Sequence, residues 1–409
     1  MKKKPTITYI VPCSKKRFFI HEERINPFLS EFNFNIVVFD KEIKKLKIIK
    51  EKNKSYYIYP LKKTYLNPPL STLIGIKTCT IMNKFEKETD IFHIAGVDLI
   101  TGAGMYKLSG GKKPVLARLN SYGLLSPDYS LFYNNKLYLK SSFKIRLNKI
   151  NSKINNPLLK ILSPIYALYF QFDKMYWMRY IEKFHAIDKS VKEYYSSFNN
   201  HQIKVPVNKI QVIPNFIDRE FIKKSKINIK KDKKFTFIYI GRITENKGIK
   251  ILVKAFSEEF KNTKNIQLKI IGDGDLKKYV LKNKTDNISF ENFIDHNNIY
   301  KEYKKANVFI HPTLNPEPFG RTILEALYCD LPVICTDIGA PPNIVGKAGI
   351  KIKINSVKSL KKSLKNIYEN KKLYNTLRNN CKKEREKYSQ EKSDKMLSKL
   401  YKEIIYGKI

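Results

Sequence analysis

The chain of 409 residues carries 79 lysines and arginines against 37 aspartates and glutamates, a formal net charge of +42 at pH 7. Hydrophobic residues make up 42% of the chain, which excludes a disordered basic tail because such a composition can build real cores. The length favours two domains, since a single core rarely grows past about 250–300 residues. A surface this basic favours polyanionic partners: nucleic acid, anionic lipid or a phosphorylated substrate.

Short apolar runs alternate with longer helical patterns in two successive sets. The first set predicts strands at residues 6–11, 35–39, 56–59, 91–94, 114–119 and 184–187. The second set predicts strands at residues 235–240, 267–271, 288–290, 308–311 and 332–335. Such alternation is typical of parallel sheets covered by helices. We therefore expect an α/β chain with an N-terminal domain at 1–210, a second domain at 211–388 and a C-terminal helix at 389–409.

The cysteine pattern and the apolar runs bear on the compartment. Five cysteines without C-x-x-C spacing support neither a disulfide framework nor a zinc knuckle, so we expect buried free thiols in a reducing cytosol. No uncharged run approaches the roughly 18–20 residues that span a bilayer. The start, MKKKPTITYIVP, is interpreted as a first buried strand rather than a signal peptide.

The first site-bearing motif is GRITENKG at 241–248, directly after a predicted strand. A glycine ends the strand, and Arg242 and Lys247 lie five residues apart where a helix is about to start. Cations beside the amide donors of a helix N-terminus suit a diphosphate. Solvated loop charges are the alternative interpretation in a chain this rich in lysine.

The second motif is EPFGRTILE at 317–325, again after a buried strand. Pro318 and Gly320 mark a loop, and a helix is predicted to open near Arg321. Glu317 lies in the loop and Glu325 in the helix, where carboxylates can accept hydrogen bonds from the vicinal hydroxyls of a sugar or ribose. The alternative is a capping glutamate plus a solvated one. IGDG at 271–274 and IGAPPN at 338–343 are weaker loops of the same kind.

These four motifs, with PNFID at 214–218, occur in an order that resembles the family-4 retaining glycosyltransferases of the group 1, GT-B superfamily. EPFGRTILE, from Glu317 to Glu325, matches that family's Glu-x7-Glu motif. The resemblance implies two doubly wound Rossmann-like domains that face each other across a cleft, with the C-terminal helix returning to the N-terminal domain. It also implies sugar transfer from a nucleotide sugar (a UDP- or GDP-sugar) to an acceptor hydroxyl with retention of configuration, without a metal ion and without a cofactor.

The family's residue roles carry over as expectations. Arg242 and Lys247 would hold the donor diphosphate, and Glu317 would contact the transferred sugar. Donor binding would further use the residues that match the family's ribose, base, sugar and phosphate contacts: Glu325 for the ribose, Gly272 and Ile294 near the base, and the amides of Phe319 and Gly320.

The acceptor side departs from the family pattern. The usual Gly-rich loop after the first strand is replaced by a basic loop that includes Lys16, and the family's frequent histidine by Arg118-Leu119-Asn120. Lys16, Arg118 and Asn120 are therefore acceptor-side candidates, with solvated charge the alternative for Lys16. His93, His185 and His311 are interpreted as packing residues.

The segment 101–180 is basic and then aromatic-rich. Residues 101–170 hold 11 lysines and arginines and a single acid, Asp128, and the only tryptophan, Trp177, follows. Such a sequence suits a helix in the interface of an anionic membrane, whereas the alternative is a helix packed inside the domain. The preferred hypothesis is a cytoplasmic glycosyltransferase, peripheral at the inner face of the cell membrane, acting on a lipid-linked or envelope glycan acceptor.

Two alternatives stay open at this point. The same chemistry on a soluble glycan or small molecule is the first. A nucleic-acid-binding protein is the more distant one, because no recognised nucleic-acid motif occurs and the charge is spread over the chain.

Overall fold

The computed structural model describes residues 4–12, 25–40, 42–61, 72–96, 99–127, 130–133, 136–138, 142–152, 154, 156–197 and 205–407. They divide into two compact units. The first is drawn from Met1–Leu131, Tyr138–Pro214 and Ser393–Ile409, and the second from Phe132–Leu137 and Asn215–Lys392.

Eight strands build the sheet of the first unit. They are β1 (Thr6–Val11), β2 (Asn33–Asp40), β3 (Lys47–Lys50), β4 (Lys54–Pro60), β5 (Ile91–Ile94), β6 (Val115–Leu119), β9 (Lys183–Ala186) and β10 (Ile210–Val212). Their order is β10-β9-β6-β5-β1-β2-β4-β3, and only the β3–β4 pair is antiparallel. A two-stranded hairpin lies apart from this sheet: β7 (Phe132–Tyr133) and β8 (Lys136–Leu137).

The central parallel strands consist of continuous apolar runs that are buried on both faces of the sheet. Every residue of β5 and β6 is buried, as expected for strands covered on both faces by helices. The α-helices of this unit that precede its last strand, β10, are, in chain order, α1 (Thr72–Phe85), α2 (Ile100–Leu108), α3 (Phe143–Asn151), α4 (Pro157–Ile161), α5 (Ser163–Met178) and α6 (Lys189–Ser197). None of the helices among the described residues is long and apolar enough to cross a membrane.

The second unit has a six-stranded, all-parallel sheet. Its strands are β11 (Phe235–Ile240), β12 (Ile266–Ile271), β13 (Ile288–Glu291), β14 (Val308–His311), β15 (Val333–Thr336) and β16 (Gly349–Ile352). Their order is β13-β12-β11-β14-β15-β16. Its helices are α7 (Arg219–Ser225), α8 (Ile249–Phe260), α9 (Lys277–Asn283), α10 (His296–Lys305), α11 (Arg321–Tyr328), α12 (Pro341–Val345), α13 (Val357–Glu369) and α14 (Lys371–Arg385).

The last helix, α15 (Gln390–Ile405), packs on the sheet of the first unit. Leu400, Tyr401 and Ile404 are buried in the same cluster as residues of β1 and β2. The Tyr401 hydroxyl lies 2.6 Å from Nδ1 of His93 on β5. The expected return of the C-terminal helix to the N-terminal body is confirmed.

The two doubly wound sheets confirm the predicted fold class, and all eleven predicted strands are present. Three strands of these sheets were not predicted. β3 reads KIIK and is fully exposed at the sheet edge, so it lacks a buried apolar run. β10 has only three residues, and β16 opens on a glycine. Each is an edge strand that pairs with only one neighbour. Edge strands need not be buried on both faces, so they lack the continuous apolar run by which the other strands are predicted.

Candidate functional site

The candidate residues of the second unit follow strands that end at one edge of its sheet. Because neighbouring strands in this sheet are parallel, the loops after β13, β12, β11, β14 and β15 emerge side by side. The chain order reverses between β11 and β14, which makes that position the topological switch point where open α/β sheets bind ligands. The GRITENKG motif follows β11 and the EPFGRTILE motif follows β14.

The structure brings Lys247 and Glu317 together at this switch point. Lys247 Nζ forms an ion pair with Glu317 Oε1, and the two side chains are only 19% and 13% exposed. Nε2 of His311, the last residue of β14, lies 3.2 Å from the same carboxylate oxygen. Two basic side chains therefore converge on one mostly buried carboxylate.

The charge on Glu317 is strongly favoured. Burial by itself would raise the pKa of this carboxyl, but His311 and Lys247 outweigh burial and lower the pKa to about 2. Glu317 is thus a carboxylate at any physiological pH. Such a group can accept hydrogen bonds from sugar hydroxyls and stabilise positive charge beside it.

Two glycines bring the loop backbones into contact. Gly248 has a φ of 75°, and a β-carbon there would lie 1.9 Å from the Pro312 carbonyl oxygen. Gly339 has a φ of 69°, and a β-carbon there would lie 2.7 Å from the Glu317 nitrogen. The Ala340 N–H donates to the Glu317 carbonyl at 2.9 Å. The IGAPPN motif, which had no assigned role, therefore supports the Glu317 loop.

The remaining donor-side candidates surround this pair along the same sheet edge. Arg242 is exposed, and the Tyr239 hydroxyl donates to its carbonyl oxygen at 2.7 Å, which fixes the backbone of the loop after β11. Gly272 is buried directly after β12, whereas Ile294 is half-buried in the loop after β13. The strands β12 and β13, which Gly272 and Ile294 follow, are neighbours in the sheet. Both residues therefore lie on the β11 side of the switch point.

Gly320 and Phe319 lie where α11 begins. Gly320 is the N-cap residue of α11, which starts at Arg321 as the sequence predicts. The first amides of a helix have no partner within it and point outward as donors. Phe319 is half-buried and stacks edge-on against Tyr388 at a ring separation of 5.9 Å.

Glu325, one turn into α11, is nearly fully buried and has its own partners. Arg321 Nε donates to its Oε1 at 3.0 Å, and the Tyr303 hydroxyl donates to its Oε2 at 3.1 Å. Arg321 also pairs with Asp218, which caps α7 and accepts from the Phe221 N–H at 2.8 Å. Glu317 and Glu325 therefore sit in two separate networks rather than one.

The two glutamates differ in their pKa. Burial raises the pKa of Glu325 above its usual value, and Arg321 only partly opposes that effect. Asp218 behaves in the opposite way: burial would raise its pKa, but His296, the Phe221 amide and Arg321 lower it to about 2. The hydrogen bond to Asp218 in turn raises the pKa of His296.

The acceptor-side candidates of the first unit do not form a cluster among the described residues. Arg118 lies within β6 and is 5% exposed, so its side chain is not on an open surface. Asn120 follows β6 and is exposed. Lys16 lies outside the described residues.

Sequence reasoning missed several contributors to these networks. His311 was interpreted as a packing residue, yet it ends β14 beside Glu317, a position that its place at a strand end could have indicated. Tyr303 and His296 come from α10, and no local motif marks them because their role depends on how α10 packs against α11. Asp218 belongs to the PNFID motif, but its pairing with Arg321 spans 103 residues of sequence.

Comparison with known proteins shows what the chain is similar to. Residues 220–384 match the family profile described as "Glycosyl transferases group 1". The chain is 29% identical over 316 residues to an uncharacterized glycosyltransferase of Methanocaldococcus jannaschii, covering 74% of this chain and 66% of that protein. Alignments with two further glycosyltransferases of that organism span only 43% and 48% of their lengths. The chain thus spans less than two thirds of these relatives.

One relative and one solved structure match more evenly. The chain is 25% identical to the alpha-monoglucosyldiacylglycerol synthase of Acholeplasma laidlawii over 82% of both chains. The crystal structure of Anabaena HepE in complex with UDP-glucose superposes with a TM-score of 0.62 at 13% identity, covering 97% of this chain and 99% of that one. With its two Rossmann-like units, the chain has the GT-B fold, and its residues 220–384 are similar to the group 1 glycosyltransferases.

Proposed function

We propose that the chain is a retaining, family-4-type glycosyltransferase that moves a hexose from a UDP- or GDP-sugar to an acceptor hydroxyl. The observation that carries the proposal is the mostly buried Lys247–Glu317 pair at the switch point of the second sheet. A cation and a carboxylate at one ligand-binding edge can meet the diphosphate and the sugar of a single donor. The UDP-glucose bound to the HepE structure supports this choice of ligand class.

Lys247 and Arg242 are assigned to the diphosphate. Transfer breaks the bond between the anomeric carbon and a diphosphate oxygen, so negative charge develops on the leaving group. Two cations and the outward amides at the start of α11 can stabilise that charge in place of a divalent metal. We therefore propose a metal-independent reaction in which the nucleotide sugar is a co-substrate and no cofactor is needed.

Glu317 and Glu325 are assigned to different parts of the donor. Glu317, ionised and held by the IGAPPN loop, would accept from hydroxyls of the transferred sugar. Glu325 would accept from the ribose hydroxyls, and Gly272 and Ile294 would meet the base with backbone groups. The amides of Phe319 and Gly320 would contact sugar and phosphate.

We propose that the acceptor is carried by a lipid or belongs to an envelope glycan at the cytoplasmic face of the cell membrane. The support is the relative that makes a glycosylated diacylglycerol and aligns over 82% of this chain. Asn120 is the exposed candidate for an acceptor contact in the first unit, and Arg118 is too buried for direct contact without a rearrangement.

A nucleotide-sugar panel tests the proposal. The protein is incubated with UDP- and GDP-hexoses, with and without a lipid extract of the source organism, in the presence of a chelator. Nucleotide release and labelled lipid are scored, and the anomeric configuration of the product is read by NMR. We expect lipid-dependent release that survives chelation and a product with the donor's anomeric configuration.

Matched variants connect the result to the site. Lys247→Ala removes the proposed diphosphate cation, whereas Lys250→Ala removes an exposed lysine, the second residue of α8, that pairs with Glu245. Loss in the first and not in the second supports the assignment. Labelling of a soluble glycan alone would move the acceptor to the soluble class, and an absence of release with every donor would reject the enzymatic proposal.

A further inference from the structure

The outer face of α4 and α5 is apolar and open to solvent. We define this outer face by Leu158, Ile161, Leu162, Ile165 and Leu168. Four of these side chains are between 61% and 72% exposed, and Leu162 is 48% exposed. Their spacing of three or four residues aligns them along one side of the helical segment.

The opposite side of α5 packs against the rest of the first unit. The residues of the outer face are therefore not core residues that a wrong helix orientation has exposed. Tyr166, Ala167 and Phe170 are buried in a cluster with residues of the α3 region. The guanidinium of Arg146, on α3, donates from Nε to the Ala167 carbonyl at 3.1 Å. Gly104 of α2 leaves room for the Trp177 ring, which a β-carbon there would approach to 2.6 Å. These contacts fix which side of α5 points outward.

A contiguous apolar face of this kind indicates a partner, whereas isolated exposed leucines do not. The surrounding charge narrows the choice. Residues 129–172 contain seven lysines and arginines and no aspartate or glutamate. Arg146 and Lys149 are buried and serve the fold, whereas Lys160 is exposed on α4 beside Ile161, and Lys144 is exposed on α3, the helix that packs against α5.

An apolar helical face bordered by cations fits the boundary between the headgroups and acyl chains of an anionic bilayer. A second copy of the chain fits less well. In a twofold dimer the same patch would face itself, and its cations would oppose one another without any acidic residue in this segment to pair with. Nucleic acid would leave the leucines and isoleucines unused.

We propose that the outer face of α4 and α5 docks this protein onto anionic membrane, with Ile165 and Leu168 entering the interface and Lys144 and Lys160 meeting lipid phosphates. This rests on the proposed function in one respect: it supplies the membrane contact that a lipid-carried acceptor requires. Binding to the membrane itself is independent of donor chemistry, so the two can fail separately.

Vesicle sedimentation tests the docking face. The full chain is mixed with vesicles of phosphatidylcholine and phosphatidylglycerol in equal parts, or of phosphatidylcholine alone. We expect binding to the anionic vesicles that weakens with salt. The double variant Ile165→Gln/Leu168→Gln should lower the partition coefficient by more than about tenfold, because it removes the apolar groups that enter the interface.

Charge is tested separately. Lys160→Glu should lower the partition coefficient by about fivefold or more at low salt, and by less at high salt. The controls are Leu281→Gln and Lys282→Glu on α9, where an exposed leucine and an exposed lysine occur outside the proposed face. Both controls should bind vesicles like the unmodified chain. The variants alter exposed side chains, and circular dichroism with a UDP-induced thermal shift verifies the fold and the donor site.

Three outcomes would overturn the proposal. One is that the unmodified chain ignores anionic vesicles, and another is that the double variant binds them as well as the unmodified chain does. The third is a dimer in light scattering that the double variant dissociates, without vesicle binding, which would make the face an interface between copies. If vesicle binding is confirmed but no nucleotide sugar is consumed, the docking face stands and the proposed function fails.

Discussion

The two units present their carboxyl-edge residues in different ways. In the second unit, loops from adjacent strands converge, and Lys247, Glu317 and His311 meet within one mostly buried cluster. In the first unit, the described candidates do not converge: Arg118 is buried inside a strand and Asn120 is exposed after it. The conspicuous feature there is instead an apolar helical face on α4 and α5.

The difference teaches where each half of the proposed reaction is encoded. Donor recognition requires charges at fixed positions, and short motifs after strands can supply them. Acceptor recognition relies on surface shape and chemistry that a motif does not capture. If donor binding is confined to the second unit, substitutions there should have the largest effects and those in the first unit the smallest.

Loss of either member of the switch-point pair should have the largest effect. Lys247→Ala and Glu317→Gln are each expected to lower kcat by about 100- to 1000-fold, since each removes a preorganised charge beside the reacting groups. Steady-state kinetics with the best donor of the panel measures it. Lys250→Ala serves as the control, and near-normal turnover in Lys247→Ala would remove that residue from the active site.

The second prediction concerns the ribose. Glu325→Gln should weaken UDP binding by about 10- to 100-fold, because a buried carboxylate would lose charge-assisted hydrogen bonds to the ribose hydroxyls. Calorimetry with UDP and with 2′,3′-dideoxy-UDP measures it. The unmodified chain should discriminate between these ligands, whereas Glu325→Gln should not. Equal discrimination by both proteins would place the ribose elsewhere.

Acidification gives a related readout with a defined sign. Burial raises the pKa of Glu325, so this carboxyl takes up a proton at a higher pH than an ordinary glutamate does. The preference for UDP over its dideoxy analogue should therefore shrink as pH falls. Glu317, with a pKa near 2, stays ionised over the same range and does not contribute to this change.

A stability effect is expected at Asp218, which caps α7 and pairs with Arg321. Asp218→Ala should lower the free energy of unfolding by about 1–2 kcal/mol, mostly through the lost cap. Asp218→Asn keeps a capping side chain and should cost less, because Arg321 is 40% exposed and solvent screens its charge. Urea denaturation measures the free energy of unfolding of both variants. If both variants lose the same free energy, the charge of Asp218 rather than its capping hydrogen bond is responsible.

The pH dependence of this contribution follows from the lowered pKa of Asp218. A carboxyl whose pKa is about 2 in the folded chain and about 4 in the unfolded chain stabilises the fold above pH 4. That contribution is lost as pH falls from 4 towards 2. In Asp218→Asn this part of the acid destabilisation should be absent.

The smallest effect is expected in the first unit. Asn120→Ala should raise the KM for the acceptor by about 2- to 10-fold, the value of one neutral hydrogen bond, and leave UDP affinity unchanged. Acceptor titration at saturating donor measures it. A change in UDP affinity of similar size would contradict the assignment of donor binding to the second unit alone.

Much of the fold could be predicted from the sequence because strands buried on both faces appear as apolar runs. The edge strands β3, β10 and β16 lack that signal. Lys247 and Glu317 could also be identified as site candidates, because both lie in motifs that follow predicted strands. The order β13-β12-β11-β14-β15, which makes their loops adjacent, is a tertiary property. The network around Glu325 was not predictable for the same reason: Tyr303 donates to Glu325, and Asp218 pairs with Arg321, only because of how the helices pack.

The basic segment 101–180 shows a further limit of sequence interpretation. Arg146 and Lys149 counted there as surface charge, yet both are buried and donate to carbonyl oxygens within the first unit. Trp177 likewise packs against Gly104 of α2. The exposed apolar face lies in the same segment, but its direction is defined only by the packing of α5.

UDP binding to Lys247→Ala and Glu317→Gln, measured by calorimetry, tests the central claim most directly. If the pair divides the donor as proposed, Lys247→Ala weakens UDP binding because a diphosphate cation is lost. Glu317→Gln leaves UDP binding equal or tighter, because a negative charge near the diphosphate is removed while sugar transfer is lost. Equal weakening in both variants, or no change in either, would contradict the account.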